Sequence, residues 1–403
     1  AKLQFAFETA LNGRPGPVFI EIPIDVLYGT LEDAAVFPQV LATPVEPEVG
    51  AMQRIFEMLR AAQKPILVAG TQVYWDAAHH ALRSLTDQTG IPVFTNGGGR
   101  GTLPMTHPHC FKATRSKALK EADVVLLIGT PIDFRLRYGQ GWNPLSKLIQ
   151  IENDPAELNH NRQADVALLA DSRLMLEALA EGLQGIRYDD WLQTVSGMEA
   201  KKRTQQADWE TLDDVPINHF RLGAEINRLV DENTIVIGDG GDIVSAVAKV
   251  VDVTLPGQWL DPGPLGCLGV GAPFALAAQH LYPDKKVLIV SGDGSFGLNG
   301  FEFDTAVRFN LPFVAIVGND GGWGQIRNPI QTMMGRAPGT HLTRARYDKV
   351  VEALGGYGEL VEDPGDIGPA LARAFASGKP ACVNVLLDAD GMKKTNASSP
   401  YIM

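Results

Sequence analysis

The chain has 403 residues, enough for two or three domains at roughly 150 residues each. Its composition, 45% hydrophobic and 20% charged, excludes a disordered, collagen-like or coiled-coil protein. A net charge of −12 without a Lys/Arg stripe argues against nucleic-acid and anionic-membrane partners, so any polyphosphate must be held by backbone N–H groups and a metal.

In chain order, a helix tail leads into the turn Arg14-Pro15-Gly16-Pro17. A strand is predicted over Val18–Ile22, closed by Pro23 and Asp25. A strand this early is an orphan edge, so residues 1–30 are expected to be the end of a domain that begins before the chain does. Pro38, Pro44 and Pro47 mark 31–49 as an extended linker. From Val49, apolar residues at Met52, Ile55, Phe56 and Leu59 have helical spacing. Strands follow at Ile66–Gly70, Ile91–Phe94, Val124–Ile128 and Leu148–Glu152, with a helix over Ala77–Thr89. This alternation predicts a doubly wound α/β domain over 50–185. Residues 186–216 read as a helical connector whose Lys201-Lys202-Arg203 is a solvated face. A second α/β domain is expected over 217–403. Its strands Thr234–Gly238, Val287–Val290, Phe313–Val317 and Cys382–Leu386 are nearly all apolar, which predicts a parallel sheet buried on both faces. The polar tail beyond Asp390 is expected to be mobile.

Cys110, Cys267 and Cys382 are far apart with no C-x-x-C, which points to a reducing compartment and hence the cytoplasm. No apolar run approaches the length of a membrane span. His79-His80 and His107-x-His109 have no third ligand at motif spacing and read as loop or surface residues.

The strongest chemical signal is a pair of turns. Gly292-Asp293-Gly294-Ser295 follows one buried strand and Gly318-Asn319-Asp320-Gly321-Gly322 follows the next, with Asp320 standing 27 positions after Asp293. Adjacent parallel strands bring such turns to one crevice. Asp293, Asp320 and a main-chain carbonyl near Gly322 then offer oxygens to Mg²⁺ and leave positions for phosphate oxygens and water. The glycines allow close backbone approach, and Ser295 faces a phosphate at a helix start.

These turns resemble the thiamine-diphosphate fingerprint of the acetolactate synthase and decarboxylase superfamily, and the resemblance runs through the whole chain. Gly13–Pro23 is similar to the end of that family's pyrimidine-binding domain. Asp261-Pro262-Gly263-Pro264-Leu265-Gly266 through Gly269, with Glu302-Phe303-Asp304-Thr305 and Trp323, is closest to the acetolactate synthase-like branch, which includes 2-hydroxyacyl-CoA lyases. The resemblance implies Asp293 as first metal ligand, Asp320 as second and the Gly322 carbonyl as third. A one-position shift would substitute Asn319 for Asp320, and many relatives have Asn where Asp320 stands. It implies a terminal-phosphate turn at Gly240-Gly241-Asp242, with Asp242 neutralised or capping a helix. Gly266 and Leu268 would hold the cofactor bent, beside Cys267, and Trp323 and Gln325 would face substrate. Glu302 and Asp304 read as helix N-terminal charges.

In the central domain, Gly97–Gly101 with Arg100, Asp133 with Arg135, and Glu152 with Asp154 end strands where relatives hold FAD or a CoA/ADP-type nucleotide. Arg100 and Arg135 are the phosphate candidates. The implied activity makes or breaks a C–C bond beside a carbonyl, on a 2-oxo acid or a 2-hydroxyacyl-CoA, in a homodimer or homotetramer. The family's activating glutamate lies in the pyrimidine domain and is assigned to no residue here. A non-catalytic nucleotide-binding or assembly protein on the same fold is the competing expectation.

Overall fold

The structure is a computed structural model that describes residues 2–30 and 42–394. Two six-stranded sheets form its frame. The first contains β1 (Pro65–Ala69), β2 (Val93–Thr95), β3 (Cys110–Phe111), β4 (Val124–Ile128), β5 (Lys147–Glu152) and β6 (Val166–Leu169), in the order β3-β2-β1-β4-β5-β6. The second contains β7 (Thr234–Asp239), β8 (Trp259–Leu260), β9 (Lys286–Gly292), β10 (Val314–Asn319), β11 (Tyr357–Val361) and β12 (Ala381–Leu386), in the order β11-β12-β10-β9-β7-β8. Every pairing in both sheets is parallel.

The apolar runs are buried because helices cover both faces of each sheet: β1, β4, β7 and β10 are buried along their whole length. Parallel order also fixes where loops gather. In the second sheet Gly318 of β10 stands opposite Gly292 of β9, and Asp239 of β7 opposite Ser291. The chain direction of successive connections reverses between β7 and β9, the place where open α/β sheets form a ligand crevice.

The connector is one helix, Asp189–Glu210. Its Glu199 carboxylate accepts hydrogen bonds from the N–H groups of Ala113 and Thr114 and from the Thr114 hydroxyl, and so ties the segment leading into the helix Arg115–Glu121 to the connector. Across the junction of the two units, Lys112 Nζ donates to the Val250 carbonyl at 2.7 Å and Arg100 to the Ala248 carbonyl at 2.9 Å. Arg100 also lies 4.9 Å from the Trp259 ring centre.

Several expectations need correction. Val18–Ile22 is not a strand: Phe19 is 88% exposed, and no described strand lies beside it to take its backbone hydrogen bonds. The helix expected over Ala77–Thr89 starts at His79, because Ala77 adopts φ +51°, and a separate short helix, Thr71–Trp75, precedes it. Strands β3, β6, β8 and β11 escaped the reading, since two residues or a half-exposed edge leave little hydrophobic pattern. Of the linker over 31–49, residues 31–41 lie outside the described residues, as does the tail from 395 on; Gly391–Lys394 is helical.

Candidate active site

Three turns at the carboxyl edge of the second sheet build the site. After β9 the chain enters the helix Asp293–Asn299 at once, with Asp293 buried. One oxygen of Asp293 accepts the Gly294 N–H at 2.8 Å. The other accepts the N–H groups of Gly321 at 2.9 Å and Gly322 at 3.2 Å. One carboxylate therefore ties the β9 turn to the β10 turn.

Asp320 accepts from Arg327 at 3.1 Å, and Arg327 is anchored in turn on the Ala389 carbonyl at 2.7 Å. Asp242 accepts from Asn328 at 3.2 Å. Asp242 and Asp320 crowd the same point: a Cβ on Gly324 would meet one oxygen of each, at 2.8 and 2.9 Å. Three carboxyls in so little space repel one another. Burial first and the Asp320 charge second push Asp293 up to about 7 and Asp242 up to about 6. Burial raises Asp320 as well, against the pull of Arg327.

The turns enclose a cavity of about 310 Å³. It brings together Gly241, Asp242, Gly266, Leu268, Gly292, Asp293, Gly294, Ser295, Asp320, Gly322, Trp323 and Gln325. It does not include Asn319, which is fully buried behind the turn with its amide on the carbonyl of Ala345 at 2.9 Å and the side chain of Asn384 at 3.1 Å. Gly240 borders the next cavity instead. Gly240, not Asp242, is the N-cap of the helix Gly241–Val250, so the capping role expected for Asp242 is not taken up.

The segment carrying Gly266 and Leu268 is pinned by Asp239 at the end of β7. Its two oxygens accept the N–H groups of Gly269 at 2.8 Å and Gly271 at 3.0 Å. Gly266 has φ +61°. Leu268 stands over the cavity and reaches back to Gly240, where an added Cβ would meet Leu268 at 2.1 Å and Ser295 Oγ at 2.8 Å. Trp323 lies against Gly294, where a Cβ would meet its ring at 2.6 Å. Glu302 and Asp304 lie in the first turn of the helix Glu302–Phe309, outside this cavity, with Asp304 paired to Arg308. Cys267 is exposed.

Four lining residues carried no sequence signal: His219, Ile243, Ile326 and Phe134. His219 opens the helix His219–Leu229, is buried, and is held down to about 4 chiefly by that burial. Phe134 comes from the other unit, so only the packing of the two sheets could reveal it.

Phe134, Gly266 and Leu268 also line a second cavity, together with Arg100 and Arg135. Arg100, Arg135 and Ala248 continue into a third, of about 300 Å³. Its walls carry Arg100, Lys112, Arg115, Arg135, Arg137, Lys202 and Lys249, beside the rings of Trp209 and Phe220. Burial and neighbouring cations lower Arg115 to about 10, and burial lowers Lys112 and Lys249 to about 8. A fourth cavity, at the carboxyl edge of the first sheet, joins Thr71, Gly98, Gly129, Arg135 and Glu152.

The residues suit a divalent ion and a diphosphate. The Asp320 charge raises both Asp293 and Asp242, which a cation beside them would relieve, and a side chain at Gly294 would collide with Trp323. Residues 239–385 match the family model described as thiamine pyrophosphate enzyme, C-terminal TPP binding domain, and residues 52–179 match its central domain. The chain belongs to the thiamine pyrophosphate enzyme family, and is of its enzymes rather than a bare structural variant of the fold.

Among its relatives is acetolactate synthase large subunit IlvG of Mycobacterium tuberculosis, 38% identical over 95% of this chain and 70% of the relative. The 2-hydroxyacyl-CoA lyase 2 of Homo sapiens is 33% identical over 96% of this chain and 68% of the relative. That of Caenorhabditis elegans is 32% identical over 95% and 68%. Among the described residues no helix is long and apolar enough to cross a membrane.

Proposed function

We propose that the chain serves a 2-hydroxyacyl-CoA lyase. The observation that carries this reading is a row of neighbouring cavities: the seven-cation chamber shares Arg100, Arg135 and Ala248 with a narrow cavity of about 40 Å³, which shares Phe134, Gly266 and Leu268 with the carboxyl-lined one. A CoA thioester has a polyanionic nucleotide end and a reactive acyl end on a long arm. The chamber suits the first and the carboxyl-lined cavity receives the second. Lys112 is paired with Asp252 and Arg135 with Asp133, and the chamber keeps a positive surplus that bound phosphates would offset.

In this reading Asp293, Asp320 and the Gly322 carbonyl hold Mg²⁺, which holds thiamine diphosphate. The cofactor, when bound, supplies the electron sink for breaking a C–C bond beside a carbonyl. The chain's own groups orient and dry the site. Gly240, Gly241, Asp242 and Ser295 would hold the diphosphate, Leu268 would be the apolar wedge beneath the rings, and the Gly266 carbonyl would be the acceptor for the cofactor's amino group. Trp323 and Gln325 face the substrate. Leu265, Phe301 and Met333, each more than 70% exposed, suit burial against a second copy of the chain. The cavity at Glu152 and Gly129, apart from that chamber, suits the nucleotide of a flavin.

The test is a calorimetric titration with CoA. Micromolar binding is expected, weakened at least tenfold by Arg115→Ala and by Lys202→Ala, with thiamine diphosphate affinity unchanged. A second reading, acetolactate synthesis from a 2-oxo acid, is favoured by the 38%-identical relatives. Absence of CoA binding together with retained flavin would establish it instead.

A further inference from the structure

We propose that the central unit carries a second metal site, on its surface, built by Asp87, His107 and His109 for a borderline divalent cation such as Zn²⁺. Sequence spacing supplies only the His-x-His pair. The fold brings the third ligand from the neighbouring helix His79–Thr89, and one donor atom from each residue lies within 4.8 Å of the other two. Tetrahedral zinc holds its ligands about 3.3 Å apart at ordinary bond lengths, so a small closing movement completes the set.

The frame is stiff. His107 N–H donates to the Pro104 carbonyl at 2.8 Å, Cys110 N–H to the His107 carbonyl at 2.9 Å, and Val93 N–H of β2 to the His109 carbonyl at 2.9 Å. The Nδ1 of His109 lies 3.1 Å from the Thr86 carbonyl, so its proton sits there and Nε2 keeps its lone pair. A ring N–H fixed on a backbone carbonyl is how metal-bound imidazoles are oriented. Burial lowers His109 below the ordinary imidazole range, which keeps it neutral and ready to ligate. Asp87 is half-exposed, leaving the fourth position to water.

Two features limit the affinity. His107 Nε2 lies 2.8 Å from Asp87, while its Nδ1 accepts a long 3.2 Å bond from His109 N–H. A cation entering at Nε2 sends that proton, through solvent, to Nδ1 and opens the long bond. Arg83, 3.6 Å from Asp87, competes for the carboxylate, and Arg187 stands close to His109, balanced by its partner Asp189. Micromolar rather than nanomolar binding follows.

The protein is first loaded with thiamine diphosphate and excess Mg²⁺, then titrated with Zn²⁺ by calorimetry at pH 7.5, with Co²⁺ absorption as a second readout. One Zn²⁺ per chain is expected, with four-coordinate Co²⁺ bands. The dissociation constant should rise at least tenfold in Asp87→Asn and in His109→Gln but not in His80→Ala, with thermal melts confirming that each variant is folded. Zn²⁺ binding that is absent up to millimolar concentration, or that survives both substitutions, overturns the proposal.

Discussion

Asp293 joins two turns through three backbone N–H groups, while burial and the Asp320 charge push it up to about 7, so a cation beside it would favour its charged form. Asp293→Ala is expected to weaken Mg²⁺-dependent thiamine diphosphate binding by about 100-fold or more, the upper end of what even supporting groups around a metal supply. Unchanged affinity in a titration would contradict the assignment. Glu152 offers a test away from the metal turns. Burial, then Glu157, pushes it up to about 8 from 4.5, against the pull of Arg14. The folded chain thus holds an extra proton between those values, so stability falls as pH rises through the window and the penalty is complete above it. Glu152→Gln removes the penalty. Its unfolding free energy in chemical denaturation should pull ahead of the parent's between pH 5 and pH 9, by on the order of a few kcal/mol at the upper end. A difference that does not change with pH would refute this.

At the scale of elements, the site depends on long-range ties. Glu199 of the long connector helix holds the Ala113 and Thr114 N–H groups and the Thr114 hydroxyl just ahead of the helix Arg115–Glu121. Glu199→Ala strands buried N–H groups beside Lys112 and Arg115 of the basic chamber. Hydrogen bonds to a charged acceptor are worth about 1.5–3 kcal/mol each, so a loss of at least that size is expected in chemical denaturation. CoA affinity should fall with it. The sequence reading took the connector's Lys201-Lys202-Arg203 as a solvated face. All three are exposed, Lys202 at the rim of the chamber, but the period of the apolar residues could not show that an acid one turn earlier faces inward.

For the whole molecule, the cavities span both units: Phe134 and Arg135 of the first meet Gly266 and Leu268 of the second. Ligand on one side should therefore steady both. Thiamine diphosphate with Mg²⁺ at about 100 times its dissociation constant should add about 2.7 kcal/mol. Calorimetry is expected to show one transition moving up as a unit and returning on chelation. A first unit that melts separately and unmoved would show the two to be independent.

That the Asp293 and Asp320 turns come together was legible in the residues because it is local: an acid between glycines, after an all-apolar strand, needs only the rule that parallel strands end side by side. The same rule gave the α/β class. What the fold alone decided depends on register and on contacts between units. A one-residue step along β10 turns Asn319 into the core and Asp320 into the cavity, because successive side chains of a strand point to opposite faces. His219 and Phe134 reach the cavity, seven scattered cations share a chamber, and Asp87 meets two histidines. Each of these meetings joins residues far apart in the chain, and sequence spacing carries no record of them.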